Sequence, residues 1–288
     1  MNTQGIVGGQ KKRVFTVLKF VFLIIMLVVY LMPFFLIVVN SLKTKKSIIK
    51  QPLALVDPLG PTFDNFIGAF DKMNFLQSFM NSVLITVISV ALIIVITSMT
   101  AYFFVRANWK INKVIFSLMI AAMVVPFQAM MIPLVQVYGG VFHMMEYKIS
   151  LIFFHVGFSL AMAVFIYHGF VKSNVPIALE EAATIDGCTR TQTFFKVVFP
   201  LLKPTTATLV VLNVLAIWND FLLPSLVLKQ NKQNFTLPLS TYAFYGTYSV
   251  DYGMIMAALV LTTFPVIVLY LFLQKQIISG VAAGAVKG

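Results

Sequence analysis

Of 288 residues, 60% are hydrophobic and only 10% charged, against about 25% charged in soluble domains, so a water-soluble fold could not hide this much apolar surface. The formal charge of +12 comes from basic residues scattered through connections beside apolar runs, which makes anionic headgroups, not nucleic acid, the expected counter-charge. The single cysteine, Cys188, excludes an internal disulfide and an all-cysteine metal site.

Lys11, Lys12 and Arg13 precede an apolar run over 14–39, longer than the about 7–15 residues of a cleavable signal and followed by no small-x-small cleavage site. It is expected to be a retained first span with its basic end in the cytoplasm. A bilayer core about 30 Å thick needs about 20 largely apolar helical residues. Six stretches qualify: 14–39, 82–105, 114–138, 149–171, 205–228 and 254–273. Pro126 and Pro133 predict a kink in the third. One membrane domain over 14–274 is expected, between cytoplasmic tails 1–13 and 275–288. With both termini inside, 13 of the 21 Lys and Arg fall on the inner side and 8 on the outer. The bias has the right sign, although the cluster from Lys43 to Lys50 opposes it. The outer connection 40–77, with Pro52, Pro58, Gly60 and Pro61, reads as turns rather than another helix.

The inner connection 172–204 is the least like a simple linker. Residues 176–187 read as a short helix: Asn174 precedes it, Pro176 suits its first turn, and Gly187 stands where a left-handed stop is wanted. Ala178, Ala182 and Ile185, with Leu179 beside them, form a narrow stripe of mostly small side chains. Glu180 and Glu181 lie toward the positive end of the helix, open to a basic group from a partner. A helix resting on headgroups would show Lys or Arg opposite large apolar residues; two glutamates and alanines fit docking to a protein better.

The segment Glu181-Ala182-Ala183-Thr184-Ile185-Asp186-Gly187, followed after nine residues by Val197-Val198-Phe199-Pro200, resembles the EAA loop of binding-protein-dependent ABC importer permeases. Val197 and Phe199 are conservative departures from the pattern, and Cys188 stands where Ala is common. Asn40-Ser41-Leu42-Lys43, Asn81-Ser82 and Trp218-Asn219-Asp220-Phe221 with Pro224 extend the resemblance, over most of the chain, to maltose-type six-span permeases of the MalG kind. The resemblance implies an all-α membrane protein of the type I ABC importer permease fold, N-in and C-in, with a cytoplasmic coupling helix. It also implies a second permease subunit, a dimer of cytoplasmic ATPases that bind ATP and Mg, and a sugar-binding protein outside the membrane. Glu180, Glu181, Ala182, Ala183, Asp186, Gly187 and Pro200 become the expected ATPase-coupling residues.

No G-x-x-x-x-G-K-[ST] loop occurs, so ATP is expected to act through another chain, and no cofactor or metal is expected on this one. Asp220 is the clearest ionisable group within a span; with Asn219 it lines a sugar pathway or a subunit interface, or else it caps locally beside Pro224. His155 and His168 are thirteen residues apart, so packing is expected of each rather than a shared metal. Before the last span, Tyr242, Phe244, Tyr245 and Tyr248 belong to a headgroup aromatic belt or to a receptor contact, which the resemblance favours. An ion-coupled secondary transporter is the alternative function, for which paired ionisable residues at broken helices would speak. A membrane enzyme lacks support, since no nucleophile–base constellation or H-E-x-x-H site occurs.

Overall fold

The computed structural model describes residues 4–229, 231–244 and 251–285, and every regular element among them is helical. The chain divides into two compact units, residues 1–72 with 243–261, and residues 73–242 with 262–288.

The first unit opens with α1 (Gln4–Ser41), which begins ahead of the expected start near 14. The most apolar stretch of this helix is wholly unburied, so its solvent is lipid or another protein. Beyond it the connection expected to hold only turns forms two short helices, α2 (Lys45–Lys50) and α3 (Asp64–Lys72). Asp64 in the first turn of α3 and Lys72 in its last complement the helix dipole. A polar knot ties them to the end of α1. Lys43 is only 1% exposed; its Nζ donates to Asn40 Oδ1 at 3.0 Å and to the Gln51 carbonyl at 3.2 Å. Asn65 Nδ2 donates to the carbonyls of Ser41 and Lys43 at 2.9 and 2.8 Å. Lys43 is therefore an internal clamp rather than a surface charge, which removes part of the apparent conflict with the charge bias.

Asp57 closes the same knot, accepting from the Leu59 N–H at 3.0 Å, the Thr44 N–H at 2.7 Å and Thr44 Oγ1 at 2.8 Å. These donors, the Leu59 and Thr44 N–H groups first, hold its carboxyl below the ordinary value of 3.8. A carboxyl depressed on folding contributes stability above its unfolded pKa and loses it as pH falls through the folded one. Exchange protection of the Thr44 and Leu59 amides is therefore expected to fall as pH drops below 3.8, and to be less acid-sensitive in Asp57→Asn. Unchanged protection across that window would contradict this.

In the second unit α4 (Phe75–Arg106) packs on α7 (Lys148–Asn174). The buried face of α4 carries Ser78, Ser82, Ser89, Thr97 and Ala101 among isoleucines, small side chains that let a neighbouring backbone approach closely. Leu151, Phe154, Val164, Tyr167 and Val171 fill the facing side of α7. Between them, α5 (Lys110–Ala122) and α6 (Phe127–Leu134), extended by a π-turn over Val135–Val141, meet at a 100° bend. The expected third span is thus broken rather than kinked: Pro126 withholds an N–H and pushes Val125 away from helical backbone.

After α8 (Ile177–Ile185) come α9 (Arg190–Thr193), a π-turn over Phe194–Val198, α10 (Phe199–Leu201) and α11 (Lys203–Trp218). The run Arg190–Leu201 meets α11 at 78°, where Pro200 and Pro204 remove two helix donors. The expected fifth span, 205–228, is corrected: α11 stops at Trp218 and a separate α12 (Leu222–Val227) follows the break. The described elements end with α13 (Leu237–Ser240) and α14 (Tyr252–Ala285). Among the described residues, four helices are long and apolar enough to cross a bilayer, and up to six spans result if each bent pair counts as one.

At the other end of α4 from Arg106, Asn81 organises a second knot. Its Nδ2 donates to the carbonyls of Gln233 and Phe235 at 2.8 and 3.0 Å, while its Oδ1 accepts from Lys148 Nζ at 2.9 Å and Gln77 Nε2 at 3.2 Å. Next to it Ser82 Oγ accepts the Leu237 N–H at 2.7 Å.

Candidate functional site

Helix α8 is nine residues long and begins after Pro176, whose extended backbone places it outside the first turn. Its stop is built from three bonds: the Asp186 N–H to the Ala182 carbonyl, the Gly187 N–H to Thr184 and the Cys188 N–H to Ala183. Gly187 sits at φ +82°, in the left-handed region where a side chain strains the backbone.

Only Glu180 and Ala183 of this helix are buried. Ala178, Leu179, Glu181, Ala182 and Ile185 are exposed, Ile185 at 86%. An isoleucine standing out so far in a short, well-stopped helix is apolar surface without a cover within the described chain. Asp186 and Pro200 are exposed as well.

The two glutamates, grouped in the sequence as carboxylates open to a partner, separate in the structure. Glu181 points outward, whereas Glu180 turns inward to α4. Arg106 donates to Glu180 Oε1 through Nε at 2.8 Å and Nη2 at 2.6 Å, and Tyr102 Oη donates to Oε2 at 2.8 Å. Arg106 Nη2 also bonds the Val175 carbonyl at 2.8 Å. Glu180 thus finds a basic partner within its own chain, and Ala183 packs inward. Sequence reading missed Tyr102 and Arg106. Their signal was an i, i+4 pair of polar side chains closing an apolar span. Beside the joint lies a recess of about 810 Å³ lined by Trp109, Ile177, Glu181, Ile185 and Arg190 among others.

Elsewhere, Asp220 Oδ1 accepts the N–H groups of Leu222 and Leu223 at 2.9 and 3.3 Å, capping α12. Its Oδ2 lies 3.9 Å from His155 Nδ1, and His155 is buried. The local reading of Asp220 is the one its bonds display. Asn219 is exposed, with Nδ2 on the Leu215 carbonyl. Tyr242 is about half exposed. Phe244, expected at a headgroup belt or a receptor contact, is only 1% exposed in this chain, with Lys72 Nζ 5.2 Å from its ring centre. Tyr245 and Tyr248 lie outside the described residues.

Comparison with known proteins places this geometry. Residues 93–282 match the family described as "Binding-protein-dependent transport system inner membrane component". The chain is 39% identical to the probable starch degradation products transport system permease protein AmyC of Thermoanaerobacterium thermosulfurigenes, over 92% of this chain and 94% of the relative. It is 34% identical to the melibiose/raffinose/stachyose import permease protein MelC of Bacillus subtilis, over 90% and 92%. The multiple sugar-binding transport system permease protein MsmG of Streptococcus mutans is also 34% identical, over 93% and 96%. In fold, the chain resembles one from the crystal structure of a bacterial ABC transporter involved in the import of the acidic polysaccharide alginate. The TM-score is 0.76 at 20% sequence identity, covering 92% of this chain and 97% of that one. With a family match across most of its length and relatives above the level at which family is secure, this chain is a multi-pass membrane protein that belongs to the binding-protein-dependent transport system inner membrane components.

Proposed function

We propose that the chain is the permease subunit of an ATP-driven importer of a di- or oligosaccharide in the bacterial plasma membrane, forming half of the translocation pathway with a second permease subunit. A cytoplasmic ATPase dimer, holding ATP and Mg, grips α8 through Glu181, Ala182 and Ile185. A sugar-binding protein delivers the sugar on the outer side, where Tyr242 is accessible to it. Both termini are cytoplasmic, on the same side as α8. The observation that carries the reading is α8 itself, a short helix stopped at Gly187, with apolar and acidic side chains presented outward and no cover among the described residues. The sugar class is supported by the names of the relatives, of which AmyC serves starch degradation products, MelC melibiose, raffinose and stachyose, and MsmG a multiple sugar-binding transport system. Movement of α8 as a lever, driven by closure of the ATPase pair, switches the spans between inward- and outward-facing states.

Bent helices and the His155–Asp220 contact are features an ion-coupled transporter could also carry. Reconstitution separates the two. A cysteine at Ile185 in the assembled complex is expected to crosslink to the ATPase, and Glu181→Lys to lower sugar-stimulated ATP hydrolysis and uptake roughly tenfold. Sugar uptake by this chain driven by a proton or sodium gradient without any ATPase would replace the proposal with its rival.

A further inference from the structure

We infer that Arg106 is the positioning residue through which α8 moves the membrane helices, an inference that rests on the function proposed above. Seven of the nine α8 side chains are exposed, and its two buried ones are Glu180 and Ala183. The buried side-chain contacts of α8 are therefore one carboxylate and one methyl group. Ala183 supplies packing without direction. Glu180 supplies direction: both its oxygens are taken, one by Arg106 through two nitrogens and the other by Tyr102, one turn earlier on α4. The same guanidinium holds the Val175 carbonyl, at the end of α7 where the chain leaves for α8.

One planar group thus joins the inner ends of α4 and α7 to the first turn of α8. Charge-assisted bonds of this kind are short and directional, so rotating α8 while they hold must drag the ends of both long helices with it. The side chains of Arg106 and Glu180 are only 21% and 11% exposed. Partial burial of this kind leaves the pair less screened by salt than a surface pair. With the joint cut, α8 can still dock, but it swivels on Ala183 instead of pulling. Glu181 receives the motor, and Glu180 passes its motion on.

The test uses the assembled importer in proteoliposomes, with three readouts: retention of the ATPase on purification, ATP hydrolysis with receptor and sugar, and sugar moved per ATP. In Arg106→Gln the ATPase is expected to remain bound while sugar moved per ATP falls roughly tenfold. Arg106→Lys, which keeps the charge but not the fork, falls between. The double charge reversal Arg106→Glu with Glu180→Arg recovers part of the loss. Wild-type sugar per ATP in Arg106→Gln, or no recovery in the reversal, overturns the inference and leaves the proposed function standing. If Arg106→Gln does not assemble, Arg106→Lys decides, since it keeps the charge and gives up the fork: a lowered ratio supports the joint and an unchanged one overturns it. If the wild-type chain retains no ATPase, the proposed function fails first.

Discussion

Valine in place of Gly187 is expected to lower sugar uptake by roughly 5- to 30-fold, whereas asparagine there should leave it close to the wild-type rate. A Cβ built on Gly187 meets nothing within 4 Å, so crowding plays no part. What valine cannot do is hold φ at +82°: the left-handed conformation costs an L-residue about 1–2 kcal/mol, and β-branching makes it worse. The chain escapes by opening the stop, losing the bonds from Gly187 to Thr184 and from Cys188 to Ala183. Helix α8 then frays at the end that carries Ile185. Asparagine adopts the left-handed region readily, which is why it serves as an alternative helix stop. Equal uptake by the valine and asparagine variants, measured in proteoliposomes with matched amounts of complex, would show that the stop is not what function requires.

A second large effect is expected at Asn81. Replacement by leucine strands the carbonyls of Gln233 and Phe235 and takes from Lys148 its amide acceptor, at a cost of about 2–4 kcal/mol. Aspartate is the sharper probe. It offers Lys148 a full negative charge, yet it replaces the NH₂ donor with an oxygen facing two carbonyl oxygens. Asn81→Asp should therefore be about as destabilised as Asn81→Leu, read as the midpoint of thermal unfolding in detergent. If the aspartate variant is as stable as wild type, the pair with Lys148 dominates and the amide's double donation is secondary.

The fold class and the existence of a short helix near 176–187 were legible in the sequence because each depends on local chemistry. Twenty or so apolar residues must pair their backbone within a helix whatever surrounds them, and a glycine after a run of good helix formers ends it without outside help. Breaks were harder to read. Pro126 announced an interruption, but whether a proline kinks a helix or breaks it by 100° depends on the helices packed against it. At Asn219–Asp220 no proline stands at the break itself, and the run of apolar residues continued past it. The helix stops because Asp220 caps α12 instead, a choice between two local partners that composition does not reveal.

Side-chain destinations were the least legible part. Lys43 counted as a misplaced surface charge until three backbone and amide oxygens were found around it. Phe244 looked like one more exposed aromatic in a ring-rich loop, and it is buried. The Asn81-Ser82 pair carried a family resemblance without a reason; their bonds to the 233–237 segment, some 150 positions away, supply one.

The sequence alone determined that this protein lives in a membrane, which family's loop it carries and where that loop turns, since all of these follow from hydrophobicity, backbone sterics and spacing over a few residues. Tertiary structure alone decided that Glu180 and Glu181, neighbours with the same chemistry, do opposite things. Arg106 lies 74 positions from Glu180 along the chain, and only packing α7 against α4 brings the guanidinium to one carboxylate while leaving the other free.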